Sequence, residues 1–300
     1  MPMNLHLLRV FLTVVEQQSF SRAAGVLCVS QSAVSKGVRE LEHQLDLPLI
    51  QRGGTAKGGR GVALTDSGQA LYEHARGIFA MERAAIEDVR NRVGLRSGRL
   101  RVGASTTIAG YWLPACIAGF GQRWPDVEFA LRVGNTGEIG RAIIDGDVDV
   151  GFVEGALDDP RLDATHWQDE ALQLVAASDA ALGGARAVEP AELVRQTWLL
   201  RETGSGTRQV TQAFLQARGI HARRIVEIGS NEAIARAVAA GAGVAILPAV
   251  VVADLVAIGR VRALATGPGA TLMRPLFQLE LRNRPRSPGL QAFLQLLRAA

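Results

Sequence analysis

The chain has 300 residues, of which 48% are hydrophobic and 21% are charged. This is the composition of an ordinary globular protein of two or three domains, and it excludes a disordered or fibrous chain. The formal net charge is +4, and seven basic against four acidic side chains place +3 of it within residues 1–64. A basic N-terminal part on a nearly neutral remainder favours a nucleic-acid partner over a membrane.

The start of the chain lacks the charged lead and long apolar core of a signal peptide. The most apolar later stretch, residues 244–258, is interrupted by Pro248 and Asp254 and is too short to span a bilayer. We therefore expect a cytoplasmic protein. Cys28 and Cys116 each stand in an apolar context, which predicts two small buried side chains and neither a disulfide nor a metal pair.

The first predicted element is a helix over residues 4–17 with one apolar stripe along it. Two shorter helices follow within residues 19–45, with Ser21 and Ser30 as their predicted N-caps. The second of them repeats apolar side chains at spacings of three and four, which places those side chains on one face. Small alanines in both helices allow a close and steep crossing, as in a helix-turn-helix.

The opposite face of the second helix is polar and basic and carries no carboxylate; its members are Gln31, Ser32, Ser35, Lys36 and Arg39. Such a face suits a helix that enters the major groove, where base edges and phosphates accept hydrogen bonds. The alternative from this pattern alone is an ordinary helical hairpin with a solvated face.

The stretch SFSRAAGVLCVSQSAVSKGVRELEHQLDLPLIQR, with ALTDSGQAL after it, resembles the N-terminal winged helix-turn-helix of LysR-type transcriptional regulators. Asp46 replaces a usual helix-ending glycine, Ile50 replaces a usual phenylalanine, and the wing at residues 53–61 is longer than usual. The resemblance implies double-stranded promoter DNA as a partner. The expected contacts in the groove are Ser30, Gln31, Ser32, Ser35 and Lys36. The expected contacts at phosphates or in the wing are Arg22, Arg39, Arg52, Lys57 and Arg60.

After the wing, a long helix is predicted to about residue 92, with Thr65 as its cap. Leu71, Ile78 and Ala85 fall seven residues apart, which is typical of a dimerising linker helix. The alternative is an amphipathic helix packed on its own domain. The family resemblance favours the dimer, which would also double the DNA footprint.

Beyond a hinge at residues 94–98, short apolar runs alternate with helical stretches, which is typical of α/β layers. Strands are predicted at residues 100–104, 127–133, 148–153, 198–201 and 225–228. Four strand ends carry Ser, Thr or Asn where a helix begins. Helix N-termini present free N–H groups and partial positive charge, so four such loops facing one cleft would accept a small anion. Simple N-capping is the alternative for each loop, and Glu154 could instead accept from an amino group of a ligand.

This region resembles the periplasmic-binding-protein-like effector domain of the same family, through GASTTIAGYWLP, DVDVGFVEG, LLRETGSGTR and IGSNEAIARAVAAGAGVAILP. The similar subgroup includes regulators of sulfur-anion metabolism and of carbon fixation. The resemblance implies a small anionic effector, either a sulfur oxyanion or a small carboxylate, and also a homodimer or tetramer that contacts RNA polymerase. The expected effector contacts are Ser105, Thr106, Thr107, Asn135, Thr136, Glu154, Ser205, Gly206, Thr207 and Ser230.

We therefore expect an all-α winged helix-turn-helix with a long linker helix, followed by an α/β two-lobed effector domain. The expected bounds are 1–64 for DNA binding, 65–93 for the linker, and 94–300 for the effector domain. Within it, lobe I takes about 99–163 and 269–300, and lobe II about 164–268.

Two other functions compete with a regulator. The five histidines have no metal spacing, and no nucleophile elbow or P-loop occurs, so we expect neither an enzyme nor a bound metal or cofactor. A solute-binding protein without specific DNA function would explain residues 100–300, but it would leave the N-terminal third unexplained.

Overall fold

A computed structural model describes residues 3–51, 61–91, 98–155, 157–183, 186–267 and 272–299. The chain separates into two compact units, residues 1–86 and 87–300. Among the described residues, the helices are each too short or too polar to cross a bilayer.

The first unit is helical. Its helices are α1 (Leu5–Gln17), α2 (Phe20–Leu27), α3 (Gln31–Leu45) and the start of α4 (Asp66–Asn91). Val34, Val38 and Leu41 bury one face of α3, as the apolar spacing predicts. A Cβ on Gly37 would lie 3.2 Å from Cγ1 of Val10, so the glycine allows α1 and α3 to approach closely. Two apolar clusters, one around Phe11 and one around Val34, fix the three helices together.

Two local predictions in this unit are wrong. Ser19, not Ser21, caps α2, because its hydroxyl accepts from the Arg22 N–H at 3.3 Å. Cys28 is exposed, since it ends α2 in the left-handed conformation at the turn. Cys116 is buried as predicted, and burial raises the pKa of its thiol to about 11.

Helix α4 begins where the sequence predicts, with the Thr65 hydroxyl accepting from the Gly68 N–H at 2.9 Å. Its first turns pack on their own unit: Ala75 and Phe79 are buried in the cluster around Phe11. Leu71 and Ile78, which belong to the heptad pattern, also pack against this cluster. Further along, Ile86 and Val89 are exposed.

The second unit is α/β. Its strands are β1 (Gly98–Ala104), β2 (Val127–Val133), β3 (Val150–Glu154), β4 (Leu162–Ala177), β5 (Thr197–Leu200), β6 (Arg224–Glu227), β7 (Ala245–Pro248), β8 (Val261–Ala263) and β9 (Met273–Leu281). Its helices are a π-helical turn (Ile108–Trp112), α5 (Pro114–Arg123), α6 (Thr136–Ile144), α7 (Pro190–Val194), α8 (Gly206–Ala217), α9 (Asn231–Ala239), α10 (Ala249–Ala257) and α11 (Pro288–Ala299).

One sheet runs in the order β2-β1-β3-β9-β4-β7, with β8 also paired to β4, and β5 pairs with β6 separately. The strands β1, β2 and β3 are parallel, whereas β9 is antiparallel to both β3 and β4. The strands β4 and β9 therefore pass through both halves of the unit. Five predicted strands are found within two residues of their expected bounds, but β4, β7, β8 and β9 were not predicted.

The unit has two lobes, each with its own core. Lobe I packs around Phe120, Phe152 and Phe293, and a second cluster surrounds Ile139. Lobe II packs around Trp198 and further clusters on both faces of β7. Because β4 and β9 contribute to both lobes, the polar ends of β1, β3, α8 and α9 meet between them.

Two glycines of α4 provide a matched test of the first unit. A Cβ on Gly68 would lie 2.0 Å from the Leu49 carbonyl oxygen, whereas a Cβ on Gly77 would meet nothing within 4 Å. We expect Gly68→Ala to destabilise the unit by about 2 kcal/mol or more, because backbone must move. We expect Gly77→Ala to stabilise the helix by roughly 0.5–1 kcal/mol. Thermal unfolding of both variants checks this, and equal melting temperatures would contradict the packing described.

Candidate functional site

The exposed face of α3 is the candidate DNA-reading surface. Gln31, Ser32, Lys36 and Arg39 are exposed there, and Ser35 is half-buried. The Gln31 amide donates to the Ser35 hydroxyl at 3.1 Å, so the two side chains form one polar edge.

The start of α3 is capped by Ser30, whose hydroxyl accepts from the Ala33 N–H at 3.2 Å and is 2.9 Å from the Ser32 hydroxyl. In the part of the chain that the structure describes, no carboxylate pairs with Arg22, Lys36 or Arg39. These three cations remain available to phosphates. Arg52, Lys57 and Arg60, with most of the wing, lie outside the described residues.

The second candidate site lies between the lobes, and we call it the interlobe junction. It consists of buried polar side chains contributed by both lobes and by the crossing strands. They are Ser105, Thr107, Thr136, Glu154, Glu170, Arg201, Ser205, Thr207, Asn231 and Arg274. Buried polar groups of this density need partners, so their hydrogen bonds decide which ones could serve a ligand.

Three of the predicted effector contacts act as helix caps. The Ser105 hydroxyl accepts from the Ile108 N–H at 3.3 Å, and the Ser230 hydroxyl accepts from the Ala233 N–H at 3.3 Å. Asn135 forms a capping box with Glu138 at the start of α6. For these loops, N-capping is the role that the geometry shows.

The start of α8 differs, because Ser205 is buried and makes no capping hydrogen bond. A Cβ on the next residue, Gly206, would lie 2.6 Å from Cβ of Glu154 and 2.8 Å from its carbonyl oxygen. The first turn of α8 therefore touches the end of β3, and only glycine fits there. The Thr136 hydroxyl donates to the same Glu154 carbonyl at 2.8 Å, which fixes α6 at this point as well.

A buried guanidinium joins the elements of the junction. Arg274 on β9 donates to Glu154 on β3 at 3.0 Å and to the Thr207 hydroxyl at 2.8 Å. Its Nε and one terminal nitrogen both donate to the same carboxylate oxygen of Glu170 on β4. The Trp112 indole N–H donates to the other oxygen of Glu170 at 2.9 Å. Two carboxylates thus share one cation, which leaves Arg274 neutralised.

A second arginine is also paired. Arg201 at the end of β5 donates to Thr106 at 3.2 Å, across the lobes, and forms a two-point pair with Glu202 at 2.8 and 2.9 Å. Burial would raise the pKa of Glu202, but the hydrogen bonds from Arg201, its own backbone and Asn135 hold that pKa below its usual value. This pair ties the loop before α8 to both α6 and the π-helical turn.

Asn231 is the first residue of α9 and is completely buried. Its side chain bridges the hydroxyls of Thr107 and Thr207, with Nδ2 at 2.9 Å from the first and 3.3 Å from the second. Its Oδ1 has no partner among the described residues. The asparagine therefore links the two lobes and carries one unsatisfied atom.

Glu170, Asn231 and Arg274 were not among the contacts predicted from the sequence. A signal for Arg274 existed, because a single arginine interrupts the apolar run LMRPLF, and a lone buried charge needs partners. Asn231 stood in the predicted helix start beside Ser230. Glu170 lies on β4, which was not predicted as a strand. Within the described residues, no group of three His, Cys, Asp or Glu side chains could hold a metal ion.

The family models match both units. Residues 5–69 match the bacterial regulatory helix-turn-helix protein of the lysR family, and residues 94–300 match the LysR substrate binding domain. The chain is 32% identical to the uncharacterized regulator YeiE of Escherichia coli over 98% of this chain and 97% of that protein. It is 32% identical to the RuBisCO operon transcriptional regulator of Allochromatium vinosum over 82% of this chain and 80% of that protein.

Solved structures agree on the fold. Full-length CbnR, in complex with its target DNA, is 24% identical with a TM-score of 0.63 and covers 99% of both chains. The regulatory domain of Synechocystis CcmR, in complex with 2-PG, is 28% identical with a TM-score of 0.61. That match covers 67% of this chain and 96% of the CcmR domain.

The shared guanidinium predicts a large stability effect. We expect Arg274→Met to destabilise the second unit by about 3–5 kcal/mol, because it leaves Glu154 and Glu170 buried without a cation. Arg282→Met removes an exposed pair with Asp163, whose side chains are 51% and 55% exposed, and we expect about 0–1 kcal/mol. Chemical denaturation measures both. Equal losses would show that the buried cluster is not held by its charges.

Proposed function

This chain belongs to the LysR family of DNA-binding transcriptional regulators, and from that membership we propose which surface reads DNA and what class of molecule controls it. Members of the family bind promoter DNA and small-molecule effectors and form oligomers. The relative that regulates the RuBisCO operon belongs to the carbon-fixation subgroup that the sequence motifs indicate. The helix-turn-helix match over residues 5–69 also argues against a solute-binding protein without DNA function.

We propose that α3 enters the major groove with Gln31, Ser32, Ser35 and Lys36 toward the base edges. Ser30 fixes the start of the helix, and the unpaired Arg22 and Arg39 contact phosphates. Exposure of these side chains and the absence of a described carboxylate partner support this assignment. The assignment of Arg52, Lys57 and Arg60 to the wing remains a prediction from the sequence. Contacts of this kind would make binding strongly dependent on salt.

The effector is a small anion held at the interlobe junction, and the uncapped start of α8 is the observation that carries this proposal. Ser205 offers a buried hydroxyl that no capping bond uses, and the first N–H groups of α8 carry partial positive charge. Gly206 and Thr207 belong to this turn, and Thr106 and Thr107 face it from lobe I. The similar CcmR regulatory domain forms a complex with 2-PG, which supports a small-molecule ligand for this unit.

The charges at the junction narrow the effector class. Arg274 is shared by two carboxylates and Arg201 is paired with Glu202, so neither brings a spare positive charge. An anion there would be held by neutral donors and helix ends, which favours a compact sulfur oxyanion or a small carboxylate over a highly charged ligand. Ser105, Asn135 and Ser230 would position these helix starts as caps, and Thr136 would hold α6 through its bond to the Glu154 carbonyl.

Regulation would work through assembly. We propose a homodimer, or a tetramer built from two such dimers, formed through the exposed C-terminal part of α4, where Ile86 and Val89 present apolar surface. An effector can shift such an assembly only by the difference in its affinity for the two states. The regulator would act in the cytoplasm on a partly palindromic promoter and alter contact with RNA polymerase.

The DNA-reading assignment is tested by Gln31→Ala combined with Ser35→Ala. We expect site-specific footprints to disappear, since each lost base contact costs about 1–3 kcal/mol. Gln69→Ala on α4 is the control, because the Gln69 side chain is exposed and, where the structure describes the chain, bonds only Glu73. Footprinting on the chain's own promoter measures the effect, and unchanged footprints would exclude α3 as the reading helix.

The effector assignment is tested by thermal shift with sulfite, sulfate, thiosulfate, phosphate, nitrate, short carboxylates and 2-PG. We expect one class to raise the melting temperature, because a ligand at a hundred times its Kd stabilises the folded state by about 2.7 kcal/mol. Thr107→Val should weaken that rise and leave DNA binding unaltered. Thr211→Val is the matched control, since among the described residues its buried hydroxyl donates only to the Thr207 carbonyl within α8. An undiminished rise in Thr107→Val would place the ligand elsewhere.

A further inference from the structure

The amide of Asn231 has two orientations that occupy the same volume and differ only in which atom faces the two threonines. With Nδ2 toward Thr107 and Thr207, the amide donates to both hydroxyls, at 2.9 and 3.3 Å. Its Oδ1 is then left without a donor among the described residues, although the side chain is 0% exposed.

The hydroxyl protons of Thr107 and Thr207 distinguish the two orientations of the amide. Thr207 already accepts from the Arg274 guanidinium at 2.8 Å, so its own proton needs an acceptor. The described residues offer this buried hydroxyl no acceptor other than Asn231, and the same is true of Thr107. With Nδ2 toward them, three polar groups stay unsatisfied: both hydroxyl protons and Oδ1.

The opposite orientation satisfies all three. Both threonine hydroxyls then donate to Oδ1, which has two lone pairs, and Thr207 still accepts from Arg274. The only groups left are the two N–H donors of Nδ2. They point to the side where Oδ1, in the first orientation, finds no partner among the described residues. A fully buried donor pair in this position needs an acceptor, which a bound ligand can supply.

We propose that Asn231 turns its NH2 group into the interlobe junction and donates to an oxygen of the bound anion. This rests on the proposed function and adds to it a residue and a selectivity. Thr107 from lobe I and Thr207 from lobe II hold the amide in place, so the donor is set only when both lobes are in contact with it. Because the amide is an uncharged donor, it selects deprotonated oxygens and disfavours ligand groups that themselves donate.

The decisive variant is Asn231→Asp, which keeps the shape of the side chain. Its carboxylate still accepts from both threonine hydroxyls, so the junction retains its internal bonds, but it presents a negative acceptor to the ligand. With sulfite, sulfate and acetate as probes, we expect the Kd of the bound probe to rise at least about tenfold. Asn283→Asp makes the same chemical change at an exposed residue outside the junction and should bind like wild type.

Because Asn231→Asp could lose binding through misfolding, a second measurement follows the Asn231 side chain in the wild-type protein. In full-length protein labelled with ¹⁵N-asparagine, the NH2 signals that Asn231→Asp removes are those of Asn231. We expect them to shift on titration and to saturate with the Kd of the probe. If wild type binds a probe while these signals stay still, or while Asn231→Asp binds equally well, the role of Asn231 is refuted and the anion site stands. If wild type binds none of the probes, both proposals fail.

Discussion

The guanidinium of Arg274 is the interaction on which the effector unit depends. It is carried by β9, and through Glu154, Glu170 and Thr207 it reaches β3, β4 and the first turn of α8. Removing three ions from water is costly, and the arrangement is stable only because nearly every donor and acceptor around it is paired. The same pairing fixes the orientation of the elements that meet between the lobes. The position of Asn231, Ser205 and Gly206 follows from it.

This arrangement shapes what a ligand can do. Since the cations at the junction are engaged with carboxylates, an anion gains most from hydroxyls, an amide and a helix end. A ligand that separated Glu154 from Arg274 would leave buried charges unpaired. The ionic cluster therefore keeps its arrangement and does not adapt to the ligand. A change in closure would then act on the contacts that cross from lobe to lobe, which include Thr106 with Arg201, Thr107 with Asn231 and Gly206 with Glu154.

Local pattern in the sequence was enough to predict the helix-turn-helix and five strands, because each of those signals lies within a few neighbouring residues. The four missed strands include β4 and β9, whose stability comes from partners far along the chain. The same distinction applies to the site. The family resemblance named Thr107 and Thr207 among the expected contacts, but only the folded chain separates Ser105, Asn135 and Ser230, which cap helices, from Ser205, which does not. The arginine that interrupts LMRPLF indicates a buried charge, but its role could not be assigned because the two carboxylates that pair with Arg274 are more than a hundred residues away.

The strand order has a consequence for the synthesis of the chain. The sheet of lobe I is complete only when β9 pairs between β3 and β4, yet β9 is residues 273–281 and follows the whole of lobe II. On a ribosome adding roughly 5–20 residues per second, the edge of β3 waits on the order of ten seconds for this partner. Lobe II emerges entirely during that interval. The last-made strand therefore closes the first-made lobe and delivers Arg274 to carboxylates that were translated long before it.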